Sequence, residues 1–297
     1  MKRSVTLVLV LVMLFSLVGC EKKYQRINFG SEDLGETLLK YVDGQTQVLN
    51  LTKDQFPKEF PVYKITPRSI SSSDYEKTLQ NLKIEGQRDQ FEMEDNKIFL
   101  KIVPYTDPVS ETFSITDQEL EMLAKETFAK LSFIEGEYAY KGIIGEMTGE
   151  SDATGKIVTR VGVRFNRMLD GVRVAGDDRC DLWFNNNGLV EVYAKVYDYK
   201  KEGTMTLVPY DRAVMQIKTP DSFTVKMEGL PSSQQYVAKK LCAEAVELYF
   251  INQNSEGCTI LQPVYNFKGV ITDEQGQGGS FSSKIIAIPE EYTYEKQ

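Results

Sequence analysis

Residues 157–171 read Ile157-Val158-Thr159-Arg160-Val161-Gly162-Val163-Arg164-Phe165-Asn166-Arg167-Met168-Leu169-Asp170-Gly171. Ile157, Thr159, Val161, Val163 and Phe165 alternate with Val158, Arg160, Gly162, Arg164 and Asn166. Successive side chains of a strand point to opposite faces, so this period of two predicts a strand whose first set faces a core. Asp170-Gly171 predicts a tight turn, because both residue types tolerate a left-handed backbone. Asp181-Leu182-Trp183-Phe184 reads as the next strand and Asn187-Gly188 as a hairpin turn. Leu189 to Tyr199 is the return strand, with Val190, Val192, Ala194, Val196 and Asp198 on one side.

Working outward, Thr116 and Glu119 have capping-box spacing, and Leu120, Leu123, Ala124, Phe128 and Leu131 form one helical stripe. Four antiparallel strands over 137–199 behind one amphipathic helix predict an α+β fold, an antiparallel sheet packed on amphipathic helices. A smaller N-terminal α/β unit is expected over 46–105. There Phe60 to Ile65 is extended, Ser71 to Ser73 offer helix caps for Tyr75, Leu79 and Leu82, and Lys97 to Val103 form a strand. Pro104 and Pro108 bracket a linker. Downstream, a short helix is expected near Pro209–Ile217. A longer one is expected over about 233–252, with Val237, Ala238, Leu241, Cys242, Ala245, Leu248 and Tyr249 on its face. Strands over 259–271 and 281–288 follow, joined by a glycine-bearing loop over 272–280. Helix followed by strands thus occurs twice, so the region 110–297 reads as one body or as two subunits, 110–203 and 204–297.

The N-terminus reads as an address. Lys2 and Arg3 precede an almost wholly apolar run, Val5 to Val18, which is too short to span a bilayer and fits the h-region of a signal peptide. Leu17-Val18-Gly19-Cys20 resembles the bacterial lipobox, whose family is cleavable before the cysteine. The resemblance implies a signal peptide over 1–19, lipidation at Cys20, a tether over 20–45 and a cell-membrane, extracytoplasmic location. Buried acyl chains hold by about 0.8 kcal/mol per methylene. The alternatives are a secretory signal with a chance cysteine and a retained anchor helix.

The formal net charge of the 297 residues is −8, and loss of Lys2 and Arg3 with the leader would make it −10. Bulk charge therefore argues against nucleic acid as a partner. There is no histidine, which excludes Ser-His-Asp and Cys-His catalysis and the His-ligated zinc of metalloproteases. No cofactor or metal is expected. Cys242 and Cys258 are the expected disulfide pair; the alternative is that Cys242 is a small buried hydrophobe and Cys180 an unpaired strand residue. Gly149 to Lys156 superficially matches a phosphate loop. It has five residues between its glycines instead of four, and Ile157 where Ser or Thr should ligate magnesium, so a hairpin turn is expected. Asp177, Asp178 and Asp181 lack calcium-loop spacing and read as a solvated turn. Trp183, Tyr193, Tyr197 and Tyr199 are the candidate partner-binding residues, because Tyr and Trp anchor protein interfaces; the alternative is ordinary cross-strand packing.

The segment Val161 to Gly176, with Cys180–Phe184, the turn 185–188 and Leu189–Val196 after it, resembles PepSY-type domains and the propeptides of thermolysin-like proteases. They share a strand ending in an aromatic, a glycine turn, hydrophobic-x-Val-x-Gly, and a strand–turn–strand. The resemblance implies a cystatin-like α+β fold and, as in propeptides, restraint or chaperoning of a protease, which here would act in trans. Pro61-Val62-Tyr63-Lys64 and the helix after it are similar to N-terminal modules of Gram-positive lipoproteins. Some membrane-anchored regulators of a cell-wall sensor kinase share that two-part plan. The expected function is a non-enzymatic lipoprotein binding and regulating another envelope protein, a protease or sensor. The alternatives are a receptor for a peptide, glycan or metal, and a hydrolase working through carboxylates.

Overall fold

The computed structural model describes residues 24–25, 40–48, 56–84, 88–102, 112–151, 155–217, 225–228, 237–252, 260–276, 278–289 and 293–294. In chain order the strands begin with β1 (Tyr24–Gln25), β2 (Lys40–Val48) and β3 (Glu59–Pro67). After helix α1 (Ser72–Leu82) come β4 (Arg88–Glu94) and β5 (Lys97–Ile102). Helix α2 (Asp117–Phe128) precedes the run β6 (Tyr138–Ser151), β7 (Gly155–Leu169), β8 (Val172–Gly176), β9 (Arg179–Asn185), β10 (Gly188–Lys195) and β11 (Tyr197–Thr206). Helix α3 (Tyr210–Ile217) is followed by β12 (Val225–Glu228), β13 (Val237–Asn252), β14 (Gln262–Thr272), β15 (Gly278–Ile286) and β16 (Thr293–Tyr294).

Sixteen strands against three helices among the described residues overturn the expected α+β class. Twelve strands join one mixed sheet, ordered β12-β15-β14-β13-β8-β7-β9-β10-β5-β4, with β6 on β7 and β2 on β13. Two pairings in it are parallel, β13 with β2 and β13 with β8. A separate pair joins β11 to β3. The largest single error concerns the helix expected over about 233–252, whose described part, 237–252, is the 16-residue strand β13. A bulge at Ala243/Ala245 inserts Glu244 opposite consecutive residues Gly269 and Lys268. Leu241 and Ala243 before the bulge, and Val246, Leu248 and Phe250 after it, consequently meet the same core. One added residue shifts the parity of the strand. Apolar positions that change parity in mid-strand imitate a helical stripe.

The alternation that opened the sequence holds in β7: Ile157, Thr159, Val161, Val163 and Phe165 are all buried. Asp170 and Gly171 both take positive φ, as the turn into β8 requires. The segment 149–156 is the end of the β6–β7 hairpin, with Ser151 paired to Gly155. The Thr116–Glu119 capping box is formed, and Ser71 caps α1.

Two cores share the fold. In one, Tyr75 and Leu79 of α1 and Leu120 and Ala124 of α2 pack on the inward residues of β5, β7, β9 and β10. In the other, β3, α3 and β13–β15 enclose Phe250, Tyr265 and Phe267. The described strands within 46–105 serve both: β3 pairs with β11, while β4 and β5 extend the large sheet at β10. No described helix is long and apolar enough to cross a membrane.

Candidate functional site

Because α1 and α2 cover one face of β5, β10, β9 and β7, the alternate residues of those strands form an opposite, outer face. Strand register arranges them in rows. Lys97, Lys195, Arg179 and Asn166 stand side by side. Phe99, Tyr193, Asp181 and Arg164 form the next row, and Lys101, Glu191, Trp183, Gly162 and Gly145 of β6 the third. Arg160 lies beyond them, opposite Met147.

The third row fixes the indole. A Cβ on Gly162 would fall 2.7 Å from the Trp183 ring, and one on Gly145 3.6 Å from its far edge. The ring therefore lies across the neighbouring strands, in space that two missing side chains leave. In the second row Asp181 accepts both arms of Arg164, at 2.6 and 2.7 Å, and Arg179 approaches it at 3.3 Å. One carboxylate thus holds two guanidiniums, a geometry that suits the planar arginine fork. Arg179 also lies over the Tyr193 ring, 5.5 Å from its centroid. Burial pushes the Glu191 carboxyl upward, opposed by Arg160 and Lys101.

A second feature lies where the two cores meet. Asp178 has no exposed surface. Its two carboxylate oxygens accept from Tyr138 Oη on β6 and Tyr199 Oη on β11, each at 2.6 Å. Asn252 of β13 donates to Tyr199 Oη at 3.3 Å. The Arg167 guanidinium lies over both tyrosine rings, at 5.3 and 5.6 Å, and bonds the Glu135 carbonyl. Burial pushes the Asp178 carboxyl up to about 6, although both phenols, Arg167 and Arg68 pull it down. The expected solvated turn is thus incorrect at Asp178, and Asp181 is also buried. Among the described residues no cluster of acidic or cysteine side chains is placed to hold a metal.

The structure separates the candidate residues. Trp183 and Tyr193 share the outer face, half-buried. Tyr197 is buried in the second core, and Tyr199 serves Asp178. Cys242 is a buried free thiol on β13; Cys258 and Cys20 lie outside the described residues. Reading the sequence missed Phe99 and the six cations of the face that carries Trp183. Their signal was the alternate register of four strands read together, which needs the pairing.

No family model matches the chain, and no curated protein matches it. Among solved structures, the Bacillus megaterium YpeB C-terminal domain aligns over 75% of this chain and 100% of its own, at 12% identity and a TM-score of 0.32.

Proposed function

We propose that this chain is a non-enzymatic, lipid-anchored envelope protein that binds and regulates another envelope protein through the outer face of β5, β10, β9 and β7. The observation that carries the reading is the composition of that face. Trp183, Tyr193 and Phe99 alternate with arginines and lysines on a rigid sheet. Aromatic residues and Arg are the types enriched in protein interfaces, and anchors on regular elements keep their geometry at low entropic cost. The test is a photo-crosslinking residue placed at Tyr193 and, as control, at Met122, which is 57% exposed on α2. One discrete membrane-protein adduct from position 193 and none from position 122 is the expected result; no adduct above background at 193 would sink the reading. Cys20→Ala should move the chain from the membrane to the soluble fraction.

A second reading, a small-ligand receptor, draws on a cavity of about 500 Å³ between Phe56, Tyr210 and Tyr265, within the range of ligand pockets. Phe56 and Tyr210 stack at 17° with centroids 5.8 Å apart, and Tyr265 meets both edge-on. A ligand at 100 times its Kd should stabilise the fold by about 2.7 kcal/mol, so a thermal-shift screen of aromatic fragments decides it. Failure of every fragment would count against this reading.

A further inference from the structure

We infer that the outer face around Trp183 selects an acidic protein segment; this rests on the docking reading above and names the chemistry of its partner. The molecule as a whole is acidic, at −8. Its charge is not evenly spread. The outer rows of β5, β10, β9 and β7 carry Lys97, Lys101, Lys195, Arg164 and Arg179, with Arg160 buried beside them, against three carboxylates: Asp181, Glu191 and Asp177, which pairs with Lys195 at 2.7 Å. The α2 layer on the opposite side is acidic, with Asp117, Glu119, Glu121 and Glu126 against Lys125. A cationic face on an anionic body attracts anionic groups locally while the remaining surface repels them, which orients an encounter.

The face also sets limits on what docks. On its margin β4 places Glu94 beside Lys97 and Glu92 beside Phe99. An acidic segment displaced over β4 meets these two carboxylates and is repelled. On the other side the indole itself lies over Gly162 and reaches Gly145. Met147, 41% exposed, closes that side. An apolar side chain of the partner can lie against the indole and Met147 while its carboxylates reach the cations of the neighbouring rows. Arg164 and Arg179 already hold one carboxylate between them, which shows that their spacing accommodates that group. The alternation of aromatic and cationic positions suits a polypeptide carrying both acidic and apolar side chains better than a uniformly charged polymer such as polyphosphate.

Trp183 is the single tryptophan of the chain, so its emission reports on the face directly. The full chain in detergent is titrated with a random copolymer of glutamate and tyrosine, with polyphosphate and polylysine as comparisons. The expected result is a saturable change in Trp183 emission with the copolymer. Raising salt from about 50 to about 500 mM should weaken it at least tenfold, because screening shortens the reach of these charges. The double variant Lys97→Glu, Lys101→Glu should weaken it at least tenfold as well. If circular dichroism shows that variant misfolded, the milder Lys97→Gln, Lys101→Gln replaces it, with a loss of at least threefold expected. No saturable change, equal binding of polylysine, or polyphosphate binding as tight as the copolymer would each overturn the inference. So would an emission change that depends only on the chain's own concentration, since the occupant would then be a second copy. A crosslink at position 193 without copolymer binding sinks the acidic preference and leaves the docking reading intact. Copolymer binding without a crosslinked protein supports the preference and sinks the docking reading.

Discussion

Asp178 carries a charge in a place with no access to solvent, and its surroundings set what that charge does to stability. Two phenols and a nearby guanidinium stabilise the carboxylate, but burial outweighs them and lifts the group to about 6 from its ordinary 3.8. The folded chain therefore holds this proton more tightly than the unfolded chain does. The contribution to stability is greatest below about pH 4 and is lost as pH rises from about 4 to 6. Two pH units correspond to about 3 kcal/mol. Asp178→Asn keeps the shape, accepts from one phenol and donates to the other, and has no charge to bury. It should be at least as stable as the parent at pH 7. The parent should gain on it by about 3 kcal/mol on going to pH 4, in denaturant titrations at each pH. A difference that stays constant between pH 4 and 7 would refute the assignment. Nothing in Gly176-Asp177-Asp178 as a string betrays this, because its partners come from residues 138, 199 and 252. The position of Trp183 is equally non-local. Gly162→Ala should lift the indole from its strand and shift its emission to the red, as the ring becomes wetter; an unchanged spectrum would show that the ring does not rest there.

At the scale of elements, the legible parts were those whose period and caps are local. The β7 alternation, the Asp170-Gly171 turn and the Thr116–Glu119 capping box are each specified by neighbours in sequence, and each is present. The strand β13 was misread because its evidence is split by the bulge at Ala243/Ala245. Either half alone reads as alternation, while the whole reads as a period near 3.6. Its true signal lies on the partner strand. A Cβ on Gly269 would run into the Cys242 carbonyl, so the bulge needs a glycine opposite it for space, with no demand on φ. Gly269→Ala should therefore destabilise the fold by more than 2 kcal/mol, well beyond the effect of a surface substitution. Gly171→Ala, where nothing lies within 4 Å of an added Cβ, should cost only the strain of its positive φ, about 1 kcal/mol. Equal losses by chemical denaturation would refute this account of the bulge.

At the scale of the molecule, the two cores are joined by strands that pass through both. Val163 and Phe165 of β7 belong to the first core and Leu169 to the second. Val196 and Tyr197, adjacent in sequence, are divided in the same way, as are Ile70 and Ile65. The Asp178 node binds β6 to β11 at this boundary, and Asn252 ties in β13. Disordering one core would release the ends of strands that the other needs, so the two should unfold together. That would also give an occupant of the Trp183 face a mechanical route to the second core, through β7. Leu182 of the first core and Phe267 of the second are both fully buried, and truncating either to Ala should cost about 3 kcal/mol. Trp183 neighbours Leu182 on β9, and Phe267 lies in the other core, so its emission distinguishes the possibilities. If the fold is one cooperative unit, Phe267→Ala lowers the denaturant midpoint seen by Trp183 as much as Leu182→Ala does. Far-ultraviolet circular dichroism should then follow the same curve. If instead Phe267→Ala leaves the Trp183 transition in place and splits the dichroism curve in two, the cores unfold independently. The shared strands would then tether the two cores without coupling them.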